Sequence, residues 1–132
     1  MYVLDTNTLI YLFKQEGSVA TRLKTVSPHL VFIPAVVLFE LEYGVLRSTR
    51  PELQRKGIDT ALKAFGVLSM DYSAAKAAAQ IKHTLEAAGT PIGHFDQLIA
   101  GTALSHDMTL VTRNTREFER VPGLRVENWY GE

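Results

Sequence analysis

The sequence contains no cysteine, and this absence excludes disulfides, thiolate metal sites and cysteine nucleophiles. It also fits a cytoplasmic protein, which is the compartment we expect. Basic and acidic residues number 14 each, so the formal net charge is +0. Without an overall positive field, a nucleic-acid partner would need a local basic patch. There is no apolar run of the ~20 residues that cross a bilayer and no signal-peptide pattern, so we expect a soluble protein without membrane contact.

Several catalytic patterns are also missing from the sequence. The four histidines are scattered and form no H-E-x-x-H motif, which argues against a zinc site. There is no serine nucleophile elbow and no glycine-rich phosphate loop. Aromatic residues make up 9% of the chain and do not cluster along it. This scattering argues against a platform on which single-stranded nucleic acid could stack.

What the sequence does contain is a set of acids at the ends of its hydrophobic segments. Asp5 follows the apolar start of the chain, and Glu40 lies inside a second apolar run. Asp96 interrupts a third, and Asn114 and Glu117 follow a fourth. An uncompensated carboxylate in an apolar setting costs roughly several kcal/mol. We therefore predict that these acids share a cation.

Strand-like and helix-like segments alternate along the chain. Short β-branched and apolar runs predict strands at residues 3–5, 30–33, 67–69, 109–112 and 124–127. Helical spacing predicts helices at residues 7–13, 18–26, 35–47, 51–65, 73–88, 95–105 and 115–120. This order predicts an α/β fold, a three-layer α/β/α sandwich with a central parallel sheet. No linker is visible, so residues 1–132 are predicted to form one domain.

The chemistry of the acids favours hard cations, because all their ligand atoms are oxygens. Mg²⁺ takes octahedral oxygen ligands and keeps several waters, and Mn²⁺ accepts the same set. One or two such ions can bind a phosphodiester oxygen, activate water and stabilise the leaving oxygen. Asn7, Thr112 and Asn114 add neutral groups that could orient water or carboxylates.

Four segments together resemble a known family. They are Leu-Asp-Thr-Asn at residues 4–7, Phe-Glu-Leu-Glu-Tyr-Gly at 39–44, Gly-Thr-Pro-Ile-Gly at 89–93 with Asp96, and Leu-Val-Thr-Arg-Asn-Thr-Arg-Glu-Phe at 110–118. In this order they resemble PIN-domain ribonucleases, most closely the VapC toxins of bacterial VapBC toxin–antitoxin pairs. The closing stretches at 121–124 and 127–129 are similar to the same group, so the resemblance spans essentially the whole chain.

The resemblance implies a metal site for Mg²⁺ or Mn²⁺ made by Asp5, Glu40 and Asp96. Many PIN domains have an aspartate where this chain has Asn114, and Glu117 could supply the missing carboxylate. The fourth place is therefore open between these two residues.

Further roles are implied for neighbouring residues and for partners. Orientation of the metal ligands falls to Thr6, Asn7 and Thr112. Near the predicted C-terminal loop, the cluster of Arg113, Arg116 and Arg120 could contact RNA phosphates or form surface salt bridges with neighbouring glutamates. The family implies hydrolysis of RNA, commonly a tRNA, with inhibition of translation. It also implies a homodimer and a VapB-like antitoxin that blocks the site in a hetero-oligomer.

Structural explanations compete with these roles. Asp5 and Asp96 could each be an ordinary helix N-cap, and Glu117 lies in a charged run typical of a solvated face. Glu40 competes with Glu42, because residues two apart on a helix do not share a face. Surplus apolar residues on the helices at 35–47 and 73–88 could pack in the core or form a dimer face.

Two other functions stay open from the sequence. A Mg²⁺ phosphatase could begin with an aspartate nucleophile after the first strand, but such enzymes usually have a second aspartate where this chain has Asn7. A nucleic-acid-binding module with only structural metal would bind RNA or DNA without cutting it.

Overall fold

A computed structural model describes residues 1–131 of the chain. Within them, five strands form one parallel sheet in the order β3-β2-β1-β4-β5. The strands are β1 Tyr2–Leu4, β2 Val31–Pro34, β3 Gly66–Leu68, β4 Thr109–Val111 and β5 Val126–Glu127. The helices are α1 Thr6–Lys14, α2 Val19–Leu23, α3 Ala35–Arg47, α4 Pro51–Ala64, α5 Tyr72–Ala87, α6 His94–Ser105 and α7 Thr115–Phe118. The predicted α/β fold with a central parallel sheet is confirmed.

The central strand β1 determines where a ligand site can form. The chain runs from β1 to β2 and β3 on one side, then crosses to β4 on the other side of β1. This reversal creates a switch point between β1 and β4, and in open parallel sheets such points mark the crevice in which ligands bind. The backbone N–H of Asp5 donates to the carbonyl of Val111, 3.2 Å away, and so continues the pairing past the end of β1.

The strands of the sheet consist of hydrophobic residues, and the helices bury them. Val3 and Leu4 of β1 and Leu110 and Val111 of β4 are fully buried. Short, continuously apolar strands of this kind are typical of parallel sheets with both faces covered. No helix within residues 1–131 has the length and hydropathy required to cross a membrane.

Several predicted boundaries were wrong by small amounts. The second helix ends at Leu23 instead of residue 26, and a 3-10 turn at Pro28–Leu30 leads into β2. The final helix and final strand are also shorter than predicted, and α6 begins one residue earlier, at His94. In α4 the buried positions are Ile58 and Ala61, whereas Leu62 is exposed.

Helices α5 and α6 pack closely because Gly101 faces Ala78. A Cβ at position 101 would lie 2.6 Å from the backbone nitrogen of Ala78 and 2.7 Å from its Cβ. A Cβ added to Gly44 in α3 would have no atom within 4 Å. The two glycines thus sit in helices with opposite steric surroundings.

We predict that Gly101→Ala destabilises the protein by about 1–3 kcal/mol, because the two helices must separate. The matched control, Gly44→Ala, should stabilise it by up to about 1 kcal/mol, since alanine loses less backbone entropy in a helix. Urea unfolding followed by circular dichroism measures both values. Equal effects of the two substitutions would contradict the packing described here.

Candidate active site

Asp5 is both the N-cap of α1 and a buried acid at the switch point. Its Oδ1 accepts a hydrogen bond from the backbone N–H of Thr8 at 2.9 Å, and the residue is 6% exposed. The Thr8 hydroxyl donates to the carbonyl of Val111 at 3.1 Å, which joins α1 to β4. Burial raises the pKa of Asp5, while hydrogen bonds from Thr112 and Thr8 oppose that rise. The N-cap interpretation is therefore correct, but it leaves a carboxylate at the crevice.

Glu40 and Glu42 point in different directions from α3. The Thr6 hydroxyl donates to Oε1 of Glu40 at 2.6 Å, so Glu40 faces the start of α1. Glu42 instead forms an exposed ion pair with Arg55 of α4, with 2.8 Å between Arg55 Nη1 and Glu42 Oε2. Of the two glutamates, only Glu40 therefore faces the start of α1, because Glu42 is turned toward α4.

Asp96 lies in the first turn of α6 and is not its N-cap. The cap position belongs to Gly93, so the interpretation of Asp96 as a cap is wrong. Burial, a hydrogen bond with Glu117 and the charges of Glu117, Glu40 and Asp5 together raise the pKa of Asp96 to about 7. Asp96 thus lies within electrostatic reach of the three other acids.

Glu117 keeps its charge beside Asp96. Burial alone would raise the pKa of Glu117, but hydrogen bonds from Asp96, Gly93 and Asn114 and the charge of Arg120 lower it. Asp96 therefore holds the proton that the pair shares, and Glu117 accepts the hydrogen bond.

Two neutral groups hold Glu117 in this position. The backbone N–H of Gly93 donates to its Oε1 at 3.2 Å, and Asn114 Nδ2 donates to its Oε2 at 2.5 Å. The N–H of Asn114 in turn donates to the Thr112 hydroxyl at 3.0 Å. Glu117 is the acid that contacts Asp96, and the hydrogen bond from Asn114 orients the Glu117 carboxylate.

The sequence did not single out Thr8 or Gly93 as site residues. Both act through backbone N–H groups at helix starts, so the only available signal was their position in a capping sequence. A Cβ at position 93 would lie 3.0 Å from Oδ2 of Asp96, which leaves little room for a side chain there. Asn7, predicted as a supporting residue, is exposed in the first turn of α1.

The three predicted RNA-binding arginines occupy different settings. The guanidinium of Arg113 lies 3.7 Å from the ring centroid of Tyr130 and 5.5 Å from that of Tyr11. Arg120 donates from Nη1 to the carbonyl of Pro91 at 3.0 Å, and Arg116 is exposed on α7. Two of the three therefore contact the protein itself beside the site.

Comparison with known proteins now places the chain. The sequence profile of the PIN domain matches residues 2–124. The chain belongs to the PIN-domain family. It is 40% identical to the tRNA(fMet)-specific endonuclease VapC of Shigella flexneri and 38% identical to that of Salmonella typhimurium, over 97% of both chains in each case. It also superposes on the crystal structure of VapBC2 from Rickettsia felis bound to a DNA fragment from its promoter. The TM-score is 0.90 at 33% identity, and 97% of this chain and 98% of that chain are covered. The predicted VapC resemblance is confirmed.

The acids of this PIN domain suit a hydrated cation better than a tightly coordinated one. Within residues 1–131, no three acidic or histidine side chains are placed to hold a metal ion between them. The buried carboxylate of Asp5 and the raised pKa of Asp96 nevertheless show that acidic groups are gathered here, and the charge of Arg120 acts on Glu117 at the same place. Mg²⁺ is bound through one or two carboxylates and keeps several waters, so the oxygen-only residues present fit it.

We predict that Asp96→Asn stabilises the metal-free protein at about pH 8 and has less effect at about pH 5. Folded Asp96 titrates at about 7, above its unfolded value of 3.8. Its protonated carboxyl group therefore contributes stability at low pH, and this contribution is lost as the pH rises from the unfolded pKa to the folded one. The lowered pKa of Glu117 affects stability only at lower pH. Thermal melting in EDTA measures the difference.

Glu42→Gln is the control, because it removes an acid from the same region without relieving repulsion at the site. It should not raise the melting temperature at either pH. A parent protein whose melting temperature in EDTA does not fall between these pH values would contradict the assigned titration.

Proposed function

We propose that the chain is a divalent-metal-dependent endoribonuclease and the toxin of a type II toxin–antitoxin pair. Its substrate would be a structured RNA such as a tRNA, whose hydrolysis inhibits translation. The observation that carries this proposal is that the charges of Asp5, Glu40 and Glu117 act on Asp96 at the switch point of the sheet. The names of the relatives, tRNA(fMet)-specific endonucleases, support the choice of substrate.

Mg²⁺ is the proposed cofactor, with Mn²⁺ as a substitute. When bound, such an ion supplies Lewis-acid activation of water and of a phosphodiester oxygen. Asp5, Asp96 and Glu40 would hold it directly or through water. Thr6 fixes Glu40 by its hydrogen bond, and Thr112 interacts with Asp5.

Glu117 and Asn114 have different proposed roles on the opposite side of the site. Glu117 stays ionised next to Asp96, so it can accept a proton from the attacking water or ligate a second cation. Asn114 and Gly93 keep the Glu117 carboxylate in one orientation. Arg116 and Arg120 on the neighbouring surface would contact RNA phosphates.

We predict that Asp5→Asn and Asp96→Asn each lower RNA cleavage by at least about 100-fold, because each removes a charge that the cation and the transition state require. Cleavage of bulk tRNA by purified protein, with circular dichroism to verify the fold, measures this. Glu42→Gln is the matched control and should cleave as the parent does, since Glu42 faces Arg55 on the surface.

The same assay tests the metal. EDTA should stop cleavage, and added Mg²⁺ or Mn²⁺ should restore it. Full cleavage in EDTA would contradict metal dependence. Release of phosphate from small phosphomonoesters without RNA scission would indicate a phosphatase instead, and tight RNA binding without scission would indicate a binding module.

An antitoxin is proposed to reach the site through an apolar cavity. A cavity of about 860 Å³ lies between α1, α3 and α4, with Ile10, Leu41 and Leu53 in its lining and Glu40 at its margin. An apolar peptide segment could fill it while an arginine or lysine of that segment pairs with the acids. Such docking would produce a hetero-oligomer of the chain and its antitoxin. The homodimer of the chain remains a prediction.

We predict that Leu53→Glu weakens neutralisation by the antitoxin without lowering RNA cleavage, because Leu53 lines the cavity from α4, a helix that carries none of the proposed site acids. Leu62→Glu is the control, since Leu62 is exposed on the same helix but lies outside the cavity lining. Co-purification with a co-expressed VapB-like antitoxin measures binding. Equal retention of antitoxin by both variants would contradict this docking position.

A further inference from the structure

One exposed face of α3 carries two aromatic side chains and a cation. Phe39, Tyr43 and Arg47 are four residues apart, so they lie along one side of the helix at roughly 6 Å intervals. Phe39 is 56% exposed and Tyr43 is 52% exposed. Phe95 of α6, 42% exposed, joins this line at the Phe39 end. We call these four residues the aromatic ridge.

The ridge begins at the acids. Phe39 immediately precedes Glu40, and Phe95 immediately precedes Asp96. The two phenyl rings lie 5.4 Å apart between centroids, at an angle of 48°. From this pair the ridge runs along α3, away from Glu40 and toward the C-terminal end of the helix.

A cation lies at the far end of the ridge. The guanidinium carbon of Arg47 is 4.9 Å from the ring centroid of Tyr43, a cation–π contact that fixes both side chains. Aromatic rings interleaved with positive charge are the features that bind single-stranded nucleic acid, since every base has a face to stack and every nucleotide a phosphate. The aromatic residues that are scattered in the sequence are thus gathered by the fold.

The ridge is separate from the proposed antitoxin cavity. That cavity is lined on α3 by Glu40, Leu41 and Gly44, and none of the four ridge residues belongs to its lining. An antitoxin segment in the cavity would therefore leave the ridge uncovered along the length of α3.

We propose that the aromatic ridge binds unpaired nucleotides on one side of the scissile phosphate. Bases stack on the Phe39–Phe95 pair and on Tyr43, and Arg47 contacts the backbone phosphate. The inference rests on the proposed ribonuclease function and deepens it, because it defines the substrate as RNA that is single-stranded next to the cleavage position. A paired stem would present no free base faces to these rings.

The test measures RNA binding separately from cleavage. In an Asp96→Asn background, fluorescence anisotropy follows a short fluorescein-labelled oligouridylate and an abasic ribose-phosphate strand of the same length. Phe39→Leu and Tyr43→Leu should each weaken binding of the oligouridylate roughly tenfold, and Tyr43→Phe should bind normally. All variants should bind the abasic strand equally, because it has no base to stack.

Tyr72→Leu is the matched control. Tyr72 is 80% exposed at the start of α5, near Met70, whose sulfur lies 3.7 Å from the Thr102 hydroxyl. Tyr72 thus belongs to a different helix from α3 and α6, the two that carry the ridge. This variant should bind both strands as the parent does.

Two results would overturn the proposal. One is equal binding of oligouridylate by Phe39→Leu, Tyr43→Leu and Tyr72→Leu. The other is a change of oligomeric state in the two ridge variants, seen by light scattering, that accounts for their loss of binding; the ridge would then be a contact between copies of the chain. Failure of the parent to cleave RNA, with oligouridylate still bound through the ridge, would reject the nuclease function alone.

Discussion

The buried carboxylate of Asp5 is the constraint on which the site depends. It ends the central strand, caps the first helix through the N–H of Thr8, and lies beside β4, to which its own N–H is bonded. Burial of a negative charge is unfavourable unless donors or a cation compensate it. Thr8 and Thr112 supply part of that compensation, and the charge that is left makes this edge of the sheet attractive to a divalent ion.

The repulsion between Asp96 and Glu117 is reduced because the two carboxyl groups share a proton. Asp96 takes the proton and Glu117 accepts the hydrogen bond, so the two carboxyl groups carry one negative charge between them below about pH 7. Gly93 and Asn114 determine which partner stays ionised, because both donate to Glu117.

Local sequence patterns predicted the fold class well and the details of the site less well. Alternating apolar strands and amphipathic helices define a parallel α/β sheet regardless of small errors at their ends, as the early stop of α2 shows. The choice between Glu40 and Glu42 depended on Thr6 and Arg55, which are distant in sequence, so helix periodicity could not make it. The Phe39–Phe95 pair likewise exists only because α3 and α6 meet, although the spacing of Phe39 and Tyr43 was readable in one helix.

The stacking of Arg113 on Tyr130 links the end of the chain to its chemistry. Tyr130 also contacts Tyr11 of α1, and its carbonyl accepts from the N–H and hydroxyl of Ser18. Arg113 adjoins Asn114, which donates a hydrogen bond to Glu117. The segment that orients Glu117 is therefore packed against the first helix through Tyr11 and Tyr130. Local opening around Tyr130 would therefore disorder the site while the sheet remains folded. Hydrogen exchange and catalysis would change under milder conditions than those that unfold the whole domain.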